Sequence, residues 1–314
     1  MYARKLIALS ASVVLAFSLS ACNRESSGTS ADGGSADGSI TLALSTQTNT
    51  FFVQLRDGAQ EKADELGVTL NVQDASDDAA TQANQLNNAV TTGAGVVIVN
   101  PTDSDAVVPS VEALNQADIP VVAVDRSSNG GEVASFVASD NVAGGAQAAA
   151  ALAEAIGGEG EILMLQGIAG SSASRDRGQG FEEEIAKHEG ISIVAKQTAN
   201  FDRGEGLDVA TNLLQAHPNV KAIFAENDEM ALGAIEALGA RAGEDVIVVG
   251  FDGTNDGLAA VEDGRMLATV AQQPEELGAK AVEEAAKLLR GEDAETEVPV
   301  EVVTVKLDNV ADFK

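Results

Sequence analysis

Four polar residues stand at matching places in the two halves of this 314-residue chain. Asn100 and Asp125 are 25 positions apart, Asn227 and Asp252 are also 25 apart, and the two pairs are offset by 127. Each of the four comes at or just after the end of a short apolar run. Carboxylates accept hydrogen bonds, and carboxamides both donate and accept them. That set suits the vicinal hydroxyls of a neutral polyol. Arg126, beside Asp125, and Arg177 add fork-shaped cationic donors. An Asp or Asn in such a place is also a common turn residue or helix cap, so at any single position the capping role stands beside the binding one. The phenylalanines shift the balance. Phe51 and Phe52 follow the first apolar run, Phe201 falls in an expected loop, and Phe251 precedes Asp252. Rings placed beyond strand ends can cover the C–H faces of a ring-shaped polyol, while the polar groups take its edge.

The elements that must hold these residues are legible as alternating short and long patterns. Apolar runs at 40–44, 68–72, 95–99 and 120–124 recur every 25 to 28 residues. Each is rich in Val, Ile or Leu and reads as a buried parallel strand. A second series follows at 161–165, 191–195, 220–225 and 245–249. Between the runs lie amphipathic stretches, among them 53–66 with Gly67 as its stop, 174–188, 206–217 and 229–238. The pattern predicts an α/β protein with two Rossmann-like lobes built on parallel sheets. Ligands of open parallel sheets bind beyond the carboxyl ends of the strands, so two facing lobes would bring the four polar residues to one cleft. The equal 25-residue spacing reads as the mark of an old duplication.

The N-terminus has a different character. Arg4 and Lys5 precede an apolar stretch over 6–19 that is short for a membrane span, and Leu19-Ser20-Ala21-Cys22 closes it. This resembles a bacterial lipobox, which implies a signal peptide over 1–22 and an acylated Cys22 at the mature terminus. Residues 23–38, rich in Gly, Ser and Asp, read as a flexible tether of roughly 20–24 Å. Losing the leader takes the net charge from -30 to -32, since two cations and no acid depart. Such a surface repels nucleic-acid phosphates and stays soluble, or suits a saline medium. With the only cysteine acylated, no disulfide and no thiol nucleophile remain.

Signs of an enzyme are missing. His188 and His217 close helical stretches. There is no nucleophile elbow, no spacing of metal ligands and no complete dinucleotide fingerprint, so neither a cofactor nor a metal is expected.

The segments TNTFF (48–52), NPTDSDAV (100–107), VDR (124–126), QGIAGSSASRDRGQGF (166–181), NFDRGEG (200–206), FAENDEMALGA (224–234), VVGFDGT (248–254) and TVAQQPEELGAKAVE (269–283) resemble the ribose-binding proteins of bacterial ABC importers. The likeness runs from about Ile40 to the C-terminus. It implies a type 1 periplasmic binding protein fold with a three-crossing hinge. One lobe would comprise 39–139 plus 273–301, the other 140–272 plus 302–314. Carried over by position, the sugar contacts fall on Asn49, Phe51, Phe52, Asn100, Asp125, Arg126, Arg177, Phe201, Asn227, Asp252 and Gln272, with Phe251 in the aromatic place beside Asp252. At Thr50 the family pattern favours proline. The resemblance implies a monomeric, extracytoplasmic lipoprotein that binds a monosaccharide, ribose first, and serves an ABC permease. A chemotaxis receptor is a further partner left open. Another pentose, allose or a furanose signal is the alternative ligand, and a sugar-sensing regulator or an enzyme on the same fold the more distant alternative.

Overall fold

The structure, a computed structural model, describes residues 38–313. The leader, Cys22 and most of the tether lie outside the described residues. The first half builds β1 (Ser39–Leu44), α1 (Thr50–Leu66), β2 (Thr69–Asp74), α2 (Ala79–Thr92), β3 (Val96–Val99), α3 (Val108–Gln116), β4 (Val121–Val124) and β5 (Ser135–Ser139). The second builds α4 (Asn141–Ala155), β6 (Glu159–Gln166), α5 (Ser172–Ile185), β7 (Gly190–Thr198), α6 (Arg203–Ala216), β8 (Ala222–Ala225), α7 (Asp228–Leu238), β9 (Ile247–Asp252), α8 (Asn255–Glu262) and β10 (Ala268–Ala271). Then come α9 (Pro274–Leu289), β11 (Glu297–Val300) and β12 (Val303–Val305).

Two six-stranded sheets result, ordered β11-β5-β4-β3-β1-β2 and β12-β10-β9-β8-β6-β7. The second repeats the first strand for strand. All pairings are parallel, as expected, except that β12 joins the edge of the second sheet antiparallel to β10. The chain passes from one sheet to the other between β5 and α4, between β10 and α9, and between β11 and β12.

The central strands VVIV and VVAV are buried along their whole length, because helices cover both faces and β-branched side chains pack well there. Each sheet accordingly has an apolar cluster on either face. Fully burying one Leu, Ile or Phe contributes about 1.5–3 kcal/mol. The runs at 68–72 and 191–195 are not buried strands as expected. β2 and β7 are edge strands whose outer positions reach solvent.

Helix ends are set locally. Asn49, Asp78, Asp140, Asp202, Asn227 and Thr254 each accept a bond from a backbone N–H in the first turn, a contribution of about 1 kcal/mol apiece. Gly67 ends α1 in the left-handed region at φ 68°. Helices α4 and α5 touch backbone to backbone: a Cβ on Gly145 would lie 2.1 Å from the carbonyl oxygen of Arg177. This contact fixes the height at which α5 presents Arg177 to the carboxyl ends of β8 and β9.

Candidate functional site

The loops after the strands meet in a cavity of about 100 Å³. Ten of the twelve expected residues line it: Asn49, Phe51, Phe52, Asp125, Arg126, Arg177, Phe201, Asn227, Asp252 and Gln272. Asn100 and Phe251 do not reach it.

Two corrections follow. Asn100 is buried behind the wall. Its Oδ1 accepts from the backbone N–H and hydroxyl of Ser45, and its Nδ2 donates to Asp125 Oδ2 at 3.1 Å. It sets the Asp125 carboxylate in place. Phe251 lies inside β9 rather than in a loop and is fully buried, with the Arg177 guanidinium 3.9 Å above its ring. Phe51 and Phe52 likewise open α1 rather than a loop. They sit edge to face at 5.1 Å.

The two arginines and three of the rings alternate across the cleft. Arg126 lies between Phe52 and Phe201, 5.2 and 5.6 Å from their centroids. Arg177 lies between Phe201 and Phe251 at 5.7 and 3.9 Å. Cation–π contacts of this kind contribute about 0.5–2 kcal/mol each, and the Arg126–Phe201 contact joins the two lobes. Arg177 is held further by Asn141 Oδ1 at 2.9 Å and the Glu226 carbonyl at 2.6 Å. Its Nη1 stands 3.3 Å from Asp252 Oδ1, which also accepts from Gln272 Nε2 at 2.7 Å.

Capping and lining coincide at three positions, Asn49, Asp202 and Asn227. Asn49 spends its oxygen on the Phe51 N–H, and its amide nitrogen makes no bond within the described residues. Asn227 accepts from the Met230 N–H and donates to the Phe201 carbonyl.

Burial pushes the Asp252 carboxyl up to about 7, against the pull of Arg177. Burial also raises Asp125, against Arg126. Two atoms of lining residues are buried without a hydrogen-bond partner, the donor Arg126 Nε and the acceptor Gln272 Oε1. Leaving such groups unmade is costly, though Arg126 Nε lies 3.5 Å from Asp125 Oδ2 in an ion pair. Backbone strain gathers here too. Of seven non-glycine residues with positive φ among the described residues, Asp77, Asp125, Asn200, Phe201 and Asp252 line the cavity. Such conformations persist where the surroundings over-determine them, and they cluster at ligand clamps.

Compared with known families, a model described as a periplasmic binding protein domain matches residues 40–293. The chain belongs to that family. Its members are the solute-binding proteins of ABC transporters, not enzymes. The ribose import binding protein of Escherichia coli (strain K12) is 49% identical over 266 residues, spanning 85% of this chain and 90% of that protein. Its counterpart from Bacillus subtilis (strain 168) is 42% identical over 295 residues, 92% and 96% of the two chains. Among solved structures, a solute-binding protein from Actinobacillus succinogenes with bound D-allose superposes with a TM-score of 0.82. It is 32% identical and covers 88% of this chain and 100% of its own. A Caulobacter myo-inositol binding protein gives 0.84 at 32% identity, covering 89% and 96%.

In this periplasmic binding protein the lobes touch outside the cavity as well. The Ser104 N–H donates to the Gly170 carbonyl at 3.0 Å, the Ser127 N–H to Ser172 Oγ at 2.8 Å, and Arg175 to Asn129 Oδ1 at 3.3 Å. Sequence reasoning missed Thr46, Thr48, Asp77, Ile168, Ala173, Asn200 and Asp202, which also line the cavity. Most come from the loops after β1, β2, β6 and β7, where no strand-end pattern marked them. Among the described residues, no cluster of His, Cys, Asp and Glu is arranged to hold a metal ion.

Proposed function

We propose that this protein captures D-ribose in the interlobe cavity on the outer side of the membrane and delivers it to an ABC permease. The observation that carries the reading is the pairing of functions across the cleft. Each lobe offers one buried carboxylate, one arginine and at least one aromatic face. In the bound state Asp125 and Asp252 accept from sugar hydroxyls, Arg126 and Arg177 donate to sugar oxygens, and Phe52 and Phe201 cover the ring. Asn49, Phe51, Asn227 and Gln272 complete the enclosure, and Asn100 and Phe251 brace it from behind. Residues 39–139 with 273–301 close against 140–272 with 302–314 about the three crossings. The permease then distinguishes the closed, loaded form from the open one. Support comes from the ribose import relatives.

Thermal unfolding of the chain from Asn23 onward tests the ligand. Ribose at a thousandfold excess over Kd is expected to contribute about 4 kcal/mol, a rise on the order of 8 °C at about 2 °C per kcal/mol. Xylose, galactose and glucose are expected to do less. A solved relative holds D-allose, so allose is the second reading. A larger shift with allose than with ribose would transfer the assignment to it, and no shift with any sugar would sink both.

Anchoring at Cys22 belongs to the same proposal. No helix among the described residues is long and apolar enough to cross a membrane, and two or more acyl chains hold a protein stably at a bilayer. Mass spectrometry of the native protein is expected to find a mature terminus at an acylated Cys22. An unmodified cysteine would remove the anchor from the account.

A further inference from the structure

We propose that Glu226, which does not line the cavity, is a positioning residue for solute binding. Its buried side chain fixes the segment 167–177, which carries both Arg177 and the second lobe's contacts with the first. The inference rests on the solute-binding reading above.

Strand register shows what Glu226 is. Ala43 pairs with Val99 in the first sheet as Leu165 pairs with Ala225 in the second. The next residues are Asn100, whose N–H bonds the Ala43 carbonyl, and Glu226, whose N–H bonds the Leu165 carbonyl. The counterpart of Asn100 is therefore Glu226, 126 positions on. Between the third and fourth strands the pairing shifts by one: Val97 faces Val121, while Ile223 faces Val248. Asp125 and Asp252 remain counterparts at 127. The shared 25-residue spacing of Asn100–Asp125 and Asn227–Asp252 is thus a coincidence of one inserted residue, and the expectation of an Asn–Asn correspondence is corrected.

The counterparts do the same work by different means. Asn100 binds Ser45, which begins the loop after β1, and reaches Asp125 directly. Glu226 Oε2 accepts from the Gly167 N–H at 2.7 Å, in the loop after β6, and from the Ser174 hydroxyl in the first turn of α5. Its carbonyl accepts from Arg177 Nη1, and Arg177 in turn meets Asp252. Ser174 and Arg177 are three apart and share a helix face. The Phe201 ring rests on Gly167 so closely that a Cβ there would fall 2.1 Å from it. Gly170 and Ser172, a few residues on, meet Ser104 and Ser127 of the other lobe. One residue thus ties together the guanidinium, the ring and the interlobe rim.

Stability alone is a poor reason for this acid. Glu226 is fully buried and its Oε1 has no hydrogen-bond partner, an arrangement that costs free energy. Both side-chain heteroatoms of Asn100 are partnered. Local rules broken in one place are characteristic of functional sites.

The test is calorimetric titration of the full chain, purified in detergent, with ribose. Glu226→Ala is expected to weaken binding at least thirtyfold, and Ser174→Ala about fivefold. Glu226→Gln is expected to stay within threefold of wild type, because its amide oxygen can accept the same two bonds. Ligand-free unfolding temperatures are measured alongside. A lower unfolding temperature for Glu226→Ala and Ser174→Ala with Kd unchanged in the folded fraction would show a merely structural role and overturn the proposal. So would wild-type affinity in both variants. If wild type itself ignores ribose, the ribose reading falls, and the same comparison of variants is decided with D-allose.

Discussion

Asp252→Ala is expected to lower ribose affinity at least a hundredfold while the chain still folds. Asp252 closes β9 with its carboxylate between Arg177 and Gln272, and all three side chains are buried. Truncating one member of a buried, hydrogen-bonded charge pair costs about 2–5 kcal/mol, because the remaining cation loses its partner as well as the ligand losing an acceptor. Three kcal/mol is already a factor of about 150. The fold tolerates the change because Arg177 retains Asn141 and the Glu226 carbonyl. Asp252→Asn separates charge from shape: it keeps the volume but turns an amide toward Arg177, and is expected to lose nearly as much. Calorimetry on both variants decides the matter, and ribose binding within tenfold of wild type by either would remove Asp252 from the site. Replacing Arg177 is the less clean experiment, since it also strips partners from Asn141 and the Glu226 carbonyl.

Stability and affinity are expected to respond to pH in opposite directions. Burial raises both Glu226 and Asp252 to about 7. Between about pH 4.5 and 7 the folded chain therefore keeps protons that the unfolded chain has released, and the folded state loses stability as pH rises through that window. Every tenfold gain in proton affinity on folding corresponds to about 1.4 kcal/mol, so the ligand-free protein is expected to unfold several degrees higher at pH 5 than at pH 8. The strong negative charge of the surface adds to the same trend. Binding runs the other way. In the proposed bound state a sugar hydroxyl donates to the ionised form of Asp252, so ribose affinity is expected to rise from pH 5 to pH 8, approaching tenfold for each pH step of one well below the pKa. Thermal unfolding and calorimetry at the two pH values measure both trends. A Kd that is flat across this range would mean that Asp252 is already ionised at pH 5 or makes no bond to the sugar.

The relation of sequence to site is uneven, for physical reasons. Strands covered on both faces declare themselves, because burial demands continuous apolar runs such as VVIV and VVAV. β5, β10, β11 and β12 escaped notice. Small or polar residues interrupt their apolar pattern (SFVAS, ATVA, EVPV and VTV), and β11 contains Pro299. Their strand character comes from the neighbours they pair with rather than from their own pattern. Helix caps were legible as residue types, yet Asn49 and Asn227 proved to be caps and cavity residues together, a coincidence that spacing could not reveal.

The amino-acid sequence by itself determined the α/β alternation, the duplicated halves and the residue types gathered beyond the strand ends, because periodicity and burial are local constraints written into each segment. Only the tertiary structure decided which of those residues face the cavity. It moved Asn100 and Phe251 behind the wall, brought in the loops after β1, β2, β6 and β7, and exposed the one-residue shift that makes Glu226 the counterpart of Asn100. Those outcomes depend on strand register and on where loops from distant parts of the chain converge, and neither is encoded within any single segment.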